Sequence, residues 1–408
     1  MRSIVVEPKR IKIWNCSFHL GGKNGIYNQV HPPNPEQFFL FGSRGTGKST
    51  WLKHHYPEAL YRDLLAPDIF RSYSAKPGRL SDLLSGNPDQ KTVIIDEVQR
   101  IPELLPLVHK IIEDKPAYQF ILTGSSSRKL KRSGTDLLAG RALLRTCHPF
   151  MAAELGEDFS LDQALLHGML PIVHSSAQPA DVLAAYVGLY LREEVQMERL
   201  VRRLDDFSRF LEAISYSHAS LLNTAAVARE CKVNRKTVEN YITILEDLLL
   251  GFRIPVFSKH AKRRLISHEK FCYFDAGVFR SLRPAGPLDL DTDLGSNALE
   301  GLVAEHLRTW LAYSQSKNNL FFWRTKAGNE VDFIVYGASE FTALKIKNSQ
   351  TIHPGDLIGL KSFQEDYPTA KQVLLYRGQE TLSIDNIMCM PCEEFLKNLT
   401  PDSPLPII

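Results

Sequence analysis

The sequence predicts an α/β chain: a parallel sheet first, then a helical region, then a second α/β unit. Three observations carry this. Short continuous apolar runs, Phe38-Phe39-Leu40-Phe41, Val93-Ile94-Ile95 and Phe120-Ile121-Leu122, are separated by helical or loop stretches. Runs of this length without alternation suit strands covered on both faces, as in a parallel sheet. From about residue 180 to 250 the apolar spacing turns helical, and beyond about 265 strand-like runs return.

At 408 residues the chain has room for two or three domains, at roughly 150 residues each. Hydrophobic residues make up 44% and charged residues 23%, the balance of an ordinary globular protein. The net charge of +3 is too small to argue for nucleic acid by itself. No basic segment leads into a long apolar run, and no stretch approaches the ~20 apolar residues that cross a bilayer. A cytoplasmic protein with no membrane partner is expected. Of six cysteines, Cys16, Cys147, Cys231 and Cys272 are scattered singly, which suits a reducing compartment. Cys389 and Cys392 form a lone CxxC without a second ligand pair, so ordinary buried or half-buried thiols are expected there in place of zinc.

Taken in order, residues 1–36 form an irregular lead-in that closes on His31-Pro32-Pro33-Asn34-Pro35, where the prolines block helix. A first domain is expected at 37–178, with Leu143-Leu144 as a further strand. A helical region is expected at 179–265. Its clearest face is Val238, Tyr241, Ile242, Leu245, Leu248 and Leu249. An α/β domain is expected at 266–408, with strands at Phe271–Phe274, Leu320–Trp323, Val331–Val335, Ala343–Ile346 and Val373–Tyr376. Helical stretches near 296–311 and 355–365 lie between them.

Gly42-Ser43-Arg44-Gly45-Thr46-Gly47-Lys48-Ser49 fits GxxxxGK[ST] between a predicted strand and a segment, Thr50-Trp51-Leu52, that can open a helix. Glycines let backbone N–H groups wrap phosphates, and the helix N-terminus favours negative charge. The expected ligands are ATP, along Gly42 to Thr50, and Mg²⁺. Lys48 would neutralise the β- and γ-phosphates, and Ser49 Oγ would hold the metal. The strand ending in Asp96-Glu97 agrees: Asp96 is placed for Mg²⁺, and Glu97 to orient or deprotonate the attacking water. A third run ends in Thr123-Gly124-Ser125-Ser126. Thr123 is the first choice for sensing the γ-phosphate, while Ser125 or Ser126 can instead cap a following helix. Arg128 and Arg141 are the nearest candidates for a transition-state cation, and each can equally be a surface arginine.

FFLFGSRGTGKST, TVIIDEVQRIPELL, FILTGSSSRKL and LLAGRA resemble the bacterial and archaeal family of AAA-type ATPases with a C-terminal domain of unknown function. LPIV at 170–173, YLREEV at 190–195, TVENYITILEDLLL at 237–250, FCYFDAGV at 271–278, GNEVDFIV at 328–335 and LKIKNS at 344–349 resemble it too. The resemblance covers nearly everything beyond about residue 36. It implies a P-loop NTPase domain, a winged helix-turn-helix in the helical middle, and a C-terminal domain of restriction-endonuclease-like PD-(D/E)xK fold.

In the winged helix so implied, Thr224 to Cys231 is the first helix, Lys232-Val233-Asn234 the turn, and Arg235 and Lys236 open the second helix, where DNA contacts are usually made. The basic run Lys259, Lys262, Arg263, Arg264 would add phosphate contacts, or be a solvated loop. In the implied nuclease fold, Glu300 and Asp332 match the carboxylates and Lys347 the lysine. Lys345 stands where a magnesium ligand belongs, which argues against cleavage. Glu330 shares the Asp332 face.

The main reading is Mg²⁺-dependent ATP hydrolysis coupled to conformational change, with DNA and a homo-oligomer as candidate partners. The alternative is a nucleotide-switch binding module with little turnover. A DNA nuclease ranks third.

Overall fold

The computed structural model describes residues 37–125, 141–190, 203–259, 263, 265–284, 286, 291–314, 317–401 and 403–407. The lead-in 1–36 lies outside these residues, as do Ser126, Arg128, Lys262, Arg264 and most of YLREEV.

The first sheet is five-stranded and parallel, in the order β2-β3-β4-β1-β5. Its strands are β1 (Phe38–Phe41), β2 (Leu60–Asp63), β3 (Thr92–Asp96), β4 (Gln119–Gly124) and β5 (Leu143–Thr146). Alternate residues serve opposite faces, and both faces are covered. Phe39, Phe41, Val93, Ile95, Phe120 and Leu122 pack with Leu80 of α3 (Arg79–Gly86) and with Leu104 and Val108 of α4 (Leu104–Asp114). Phe38, Leu40, Ile94 and Ile121 pack on Trp51 and Leu52 of α1 (Lys48–His55). Two buried faces leave no polar side to alternate with, which is why these strands read as unbroken apolar runs. The helix α2 (Pro67–Ala75) links β2 to α3.

The middle region holds short helices at Leu161–His167, Pro171–His174 and Pro179–Ala185, then a π-helical turn at Tyr186–Tyr190. Three further helices follow, Leu204–Ser215, Thr224–Cys231 and Arg235–Asp247. They pack with an antiparallel sheet ordered β6-β8-β7, made of β6 (Ser220–Leu221), β7 (Gly251–Ile254) and β8 (Lys270–Tyr273). Lys232 takes the left-handed conformation at the end of one helix, and Asn234 caps the next through the Thr237 N–H at 2.8 Å. β8 lies beyond the expected 265/266 division, yet it pairs with both β6 and β7.

The last sheet has six strands in the order β13-β14-β12-β11-β10-β9. They are β9 (Asn319–Arg324), β10 (Glu330–Tyr336), β11 (Phe341–Ile346), β12 (Lys371–Tyr376), β13 (Leu382–Ile384) and β14 (Ile387–Pro391). β11, β12 and β14 run parallel, and β9, β10 and β13 antiparallel to their neighbours. The helix Asp291–Tyr313 shares one apolar core with this sheet and with the middle region. The helix Ile358–Asp366 covers a second core through Leu360 and Phe363. Gly301 permits the close approach of the long helix: a Cβ there would lie 2.0 Å from Nε2 of the buried His218. Cys389 and Cys392 are free, buried thiols. No helix among the described residues is long and apolar enough to cross a membrane.

Candidate functional site

β1 lies between β4 and β5, and its C-terminal end delivers the glycine-rich loop directly into α1. Gly45 (φ 84°) and Gly47 (φ 86°) take left-handed conformations that side chains with a Cβ resist. Lys48 is buried and donates from Nζ to the carbonyl oxygens of Gly42 (2.6 Å) and Ser43 (3.2 Å). Thr46 Oγ1 donates to the Ser43 carbonyl at 2.8 Å. Thr50 is exposed on α1.

The ends of β3 and β4 meet this loop. Ser49 Oγ donates to Asp96 Oδ2 at 2.7 Å. The Tyr61 hydroxyl donates to the same oxygen, and Thr123 Oγ1 donates to Asp96 Oδ1. Three hydroxyls thus converge on one buried carboxylate. Burial first, and then the Asp96 charge, push the Tyr61 hydroxyl well above the usual tyrosine range, so it stays a donor. Thr123 also accepts the Glu97 backbone N–H at 3.2 Å. Glu97 itself adopts a left-handed conformation (φ 61°). Gln99 Nε2 donates to Glu97 Oε2 at 2.6 Å and to Ser125 Oγ at 3.1 Å.

The sequence expectations therefore divide. Ser49, Asp96, Glu97, Thr123 and the loop share one place. Thr123 turns its hydroxyl to Asp96 and Glu97, and Ser125 receives Gln99. Arg141 lies two residues before β5, whose first residue, Leu143, pairs with Phe38 at the start of β1. It therefore sits at the end of the strands opposite the loop, ion-paired with Glu113 at 2.9 Å. Arg44 is exposed, with its guanidinium 4.5 Å from the Tyr190 ring centroid. Tyr61 and Gln99 escaped the sequence reading because their partners lie 35 residues away or in a loop without a periodic pattern.

The middle region covers the loop. The Tyr186 hydroxyl donates to the Arg44 carbonyl at 2.9 Å, and Ile172 Cγ2 would lie 2.9 Å from a Cβ at Gly45. Arg235 and Lys236 are exposed at the start of their helix; Arg235 Nε donates to Thr224 Oγ1 at 3.0 Å. The described members of the basic run are engaged: Arg263 pairs with Glu365 and with Asp366 (3.2 Å), and Lys259 Nζ sits 4.4 Å from the Tyr336 ring centroid.

A second charged cluster lies between the middle region and the last sheet. Glu300, Glu330 and Asp332 bring carboxylate oxygens within 4.8 Å of one another. Lys345 Nζ bonds Asp332 Oδ1 at 2.7 Å, whereas Lys347 leaves the cluster to pair with Asp356 at 2.6 Å. Burial pushes Glu300 up, against the pull of Lys270. Asp332 goes down despite its burial, because Lys345 and Lys270 flank it.

Family models divide the chain in three. Residues 34–156 match an AAA domain, residues 158–292 a domain of unknown function (DUF8612), and residues 296–395 another (DUF4143). The chain thus carries an AAA-type, ATP-binding domain with a DUF4143 domain C-terminal to it, as the sequence resemblance implied. An uncharacterized protein of Mycobacterium tuberculosis is 26% identical over 326 residues, covering 78% of this chain and 72% of its own; one from Mycobacterium bovis matches equally. Among solved structures, a replication initiator DnaA bound to AMPPCP and single-stranded DNA is 13% identical, and AMPPCP-bound DnaA from Aquifex aeolicus 14%. Each covers 52% of this chain and 82% of its own, at a TM-score of 0.26, too low to carry any residue or ligand across.

Proposed function

We propose that the chain hydrolyses ATP with Mg²⁺ at the loop Gly42 to Thr50, and that the reaction moves the middle region against the first sheet. The observation that carries this is Ser49 Oγ at 2.7 Å from Asp96 Oδ2, which joins the phosphate loop to the acidic end of β3. The donor set fits a hard, oxygen-liganded cation, and Ser49 and Asp96 would hold it. Held by Ser49 and Asp96, Mg²⁺ would supply positive charge against the phosphates during transfer. Lys48, now spending its donors on the Gly42 and Ser43 carbonyls, exchanges them for phosphate oxygens. Glu97, next to Asp96, is the base toward water. Thr123 is a positioning residue: its hydroxyl holds the Asp96 carboxylate and the Glu97 backbone. Arg141, at the opposite end of the strands, has no part in this set within one chain.

Coupling to motion is supported by the cover on the loop. Tyr186 and Ile172 touch residues Arg44 and Gly45, so a change in loop conformation reaches the middle region directly. The test is ATP turnover by wild type and Glu97→Gln, with tryptic protection of the middle region read beside it. No turnover by wild type would remove the hydrolytic reading, and turnover equal in the two proteins would remove Glu97 as its base.

A second reading, a nucleotide switch that docks DNA, is supported by the helix pair Thr224–Cys231 and Arg235–Asp247 beside the sheet β6-β8-β7. This is the element order of a winged helix, with exposed Arg235 and Lys236 opening the second helix. Turnover that is negligible with and without DNA, alongside ATP-dependent DNA binding, would favour it.

A further inference from the structure

A restriction-endonuclease-like site implies a divalent metal held by its carboxylates, and Glu300, Glu330 and Asp332 have the spacing for one. The surroundings do not fit a metal. Lys270, the first residue of β8, reaches across from the middle region and is 1% exposed. Its Nζ lies 2.6 Å from Glu300 Oε1, 2.5 Å from Glu330 Oε1 and 3.7 Å from Asp332 Oδ1. The rings of Phe322 and Phe333 flank the ammonium at 5.3 and 5.8 Å. Lys345 takes Asp332 Oδ1, and Arg324 takes Glu330 Oε2 at 3.0 Å. Three carboxylates thus face three fixed cations, which leaves no charge for a divalent ion to neutralise.

We propose that Lys270 is the resident cation of this cluster: its ammonium stands where the three carboxylates would otherwise gather a divalent ion, so the site is a joint fastening the middle region to the C-terminal domain and not a metal centre. Burial works against the charge on Lys270, but the surrounding carboxylates outweigh it and hold the amine protonated. The joint crosses from the segment matched to one family model into that matched to the next. Glu300 lies on the helix Asp291–Tyr313, Glu330 and Asp332 on β10, and Lys270 on a strand paired with β6 and β7. One side chain therefore ties three elements together. Gly301, next to Glu300, adds the close contact with His218 on the same seam.

The test uses the full chain without nucleotide and Mn²⁺ as the probe, read by calorimetry and thermal melting. Wild type is expected to show no Mn²⁺ site that depends on Asp332. Lys270→Met should gain one, which Lys270→Met/Asp332→Asn lacks. Lys270→Met should also melt more than about 6 °C below wild type, because breaking one partner out of a buried ionic group strands the rest. Should Lys270→Met be too unstable to titrate, Lys270→Met/Glu300→Gln removes one charge of each sign and is expected to melt above the single variant. A wild-type Mn²⁺ site abolished by Asp332→Asn would overturn the proposal. So would a double variant that melts no higher than Lys270→Met.

Discussion

Gln99 donates one amide nitrogen to the Glu97 carboxylate at 2.6 Å and to the Ser125 hydroxyl at 3.1 Å, so a neutral side chain links the ends of β3 and β4. This makes Glu97→Gln a clean substitution. The amide oxygen of the new side chain still accepts from Gln99, and only basicity is lost. We expect ATP binding to stay within about twofold of wild type, and steady-state hydrolysis to fall by roughly 10²–10⁴, the usual worth of a general base. Turnover within a few-fold of wild type would leave the base elsewhere.

Lys48 is buried with its ammonium turned to two loop carbonyls. Charge-assisted bonds from a buried donor are worth about 1.5–3 kcal/mol, or roughly 10- to 150-fold in affinity. Lys48→Ala is expected to weaken ATP binding by at least that range. Calorimetry giving equal affinities for the two proteins would remove Lys48 from the phosphate site.

If the middle region docks DNA, the described basic residues are not equal candidates. Arg263 is paired with Glu365 and Asp366, while Arg235 and Lys236 are exposed. Arg235→Glu/Lys236→Glu should therefore weaken binding on all sequences alike and flatten its salt dependence, as loss of phosphate contacts does. Arg263→Glu should act mainly on stability, through its ties to the helix Ile358–Asp366. Fluorescence anisotropy at two salt concentrations separates these. Equal effects of both variants on DNA affinity would contradict this division.

The parallel core was legible because β1, β3 and β4 are covered on both faces and so read as unbroken apolar runs. β2 was not: it is an edge strand, and of Leu60–Asp63 only Leu60 is buried. Leu248 and Leu249 continue the apolar helical spacing, but the helix stops at Asp247, and Leu249 turns to a positive φ of 58° before β7. Spacing cannot show where a helix is broken by a turn that tertiary contacts enforce. At the site, the loop, Asp96, Glu97 and Thr123 were legible from motif and strand order. Arg141 misled because closeness in sequence to the Thr123 loop hides that the chain has returned to the start of a parallel strand. Lys270 was invisible for another reason. A lysine heading an apolar strand reads as a solvated end, and its three acidic partners lie 30 to 62 residues downstream.

Asp275 gives the last prediction. It is fully buried and caps the helix Ala276–Leu282 through the Val278 N–H at 2.9 Å. It also accepts the Met169 N–H at 2.6 Å, tying β8 to the segment after Leu161–His167. Burial pushes its carboxyl up to about 6, although the backbone N–H groups pull the other way. An acid with a raised folded-state pKa binds more protons folded than unfolded, so its contribution is fully present below about pH 4 and is lost as pH rises through about 6. Glu305, buried nearby, is raised by burial and then by Asp275, which adds in the same direction. Asp275→Asn keeps one of the two acceptor oxygens, which costs stability by the same amount at every pH, and removes the titration. Melting wild type and variant from pH 4.5 to 7.5 should show the variant gaining on wild type by about 2 kcal/mol, at about 1.36 kcal/mol per pKa unit, with a plateau above about pH 7. Parallel curves would mean that the carboxyl is not held up by its burial, and that the joint between β8 and Met169 rests on the backbone contacts alone.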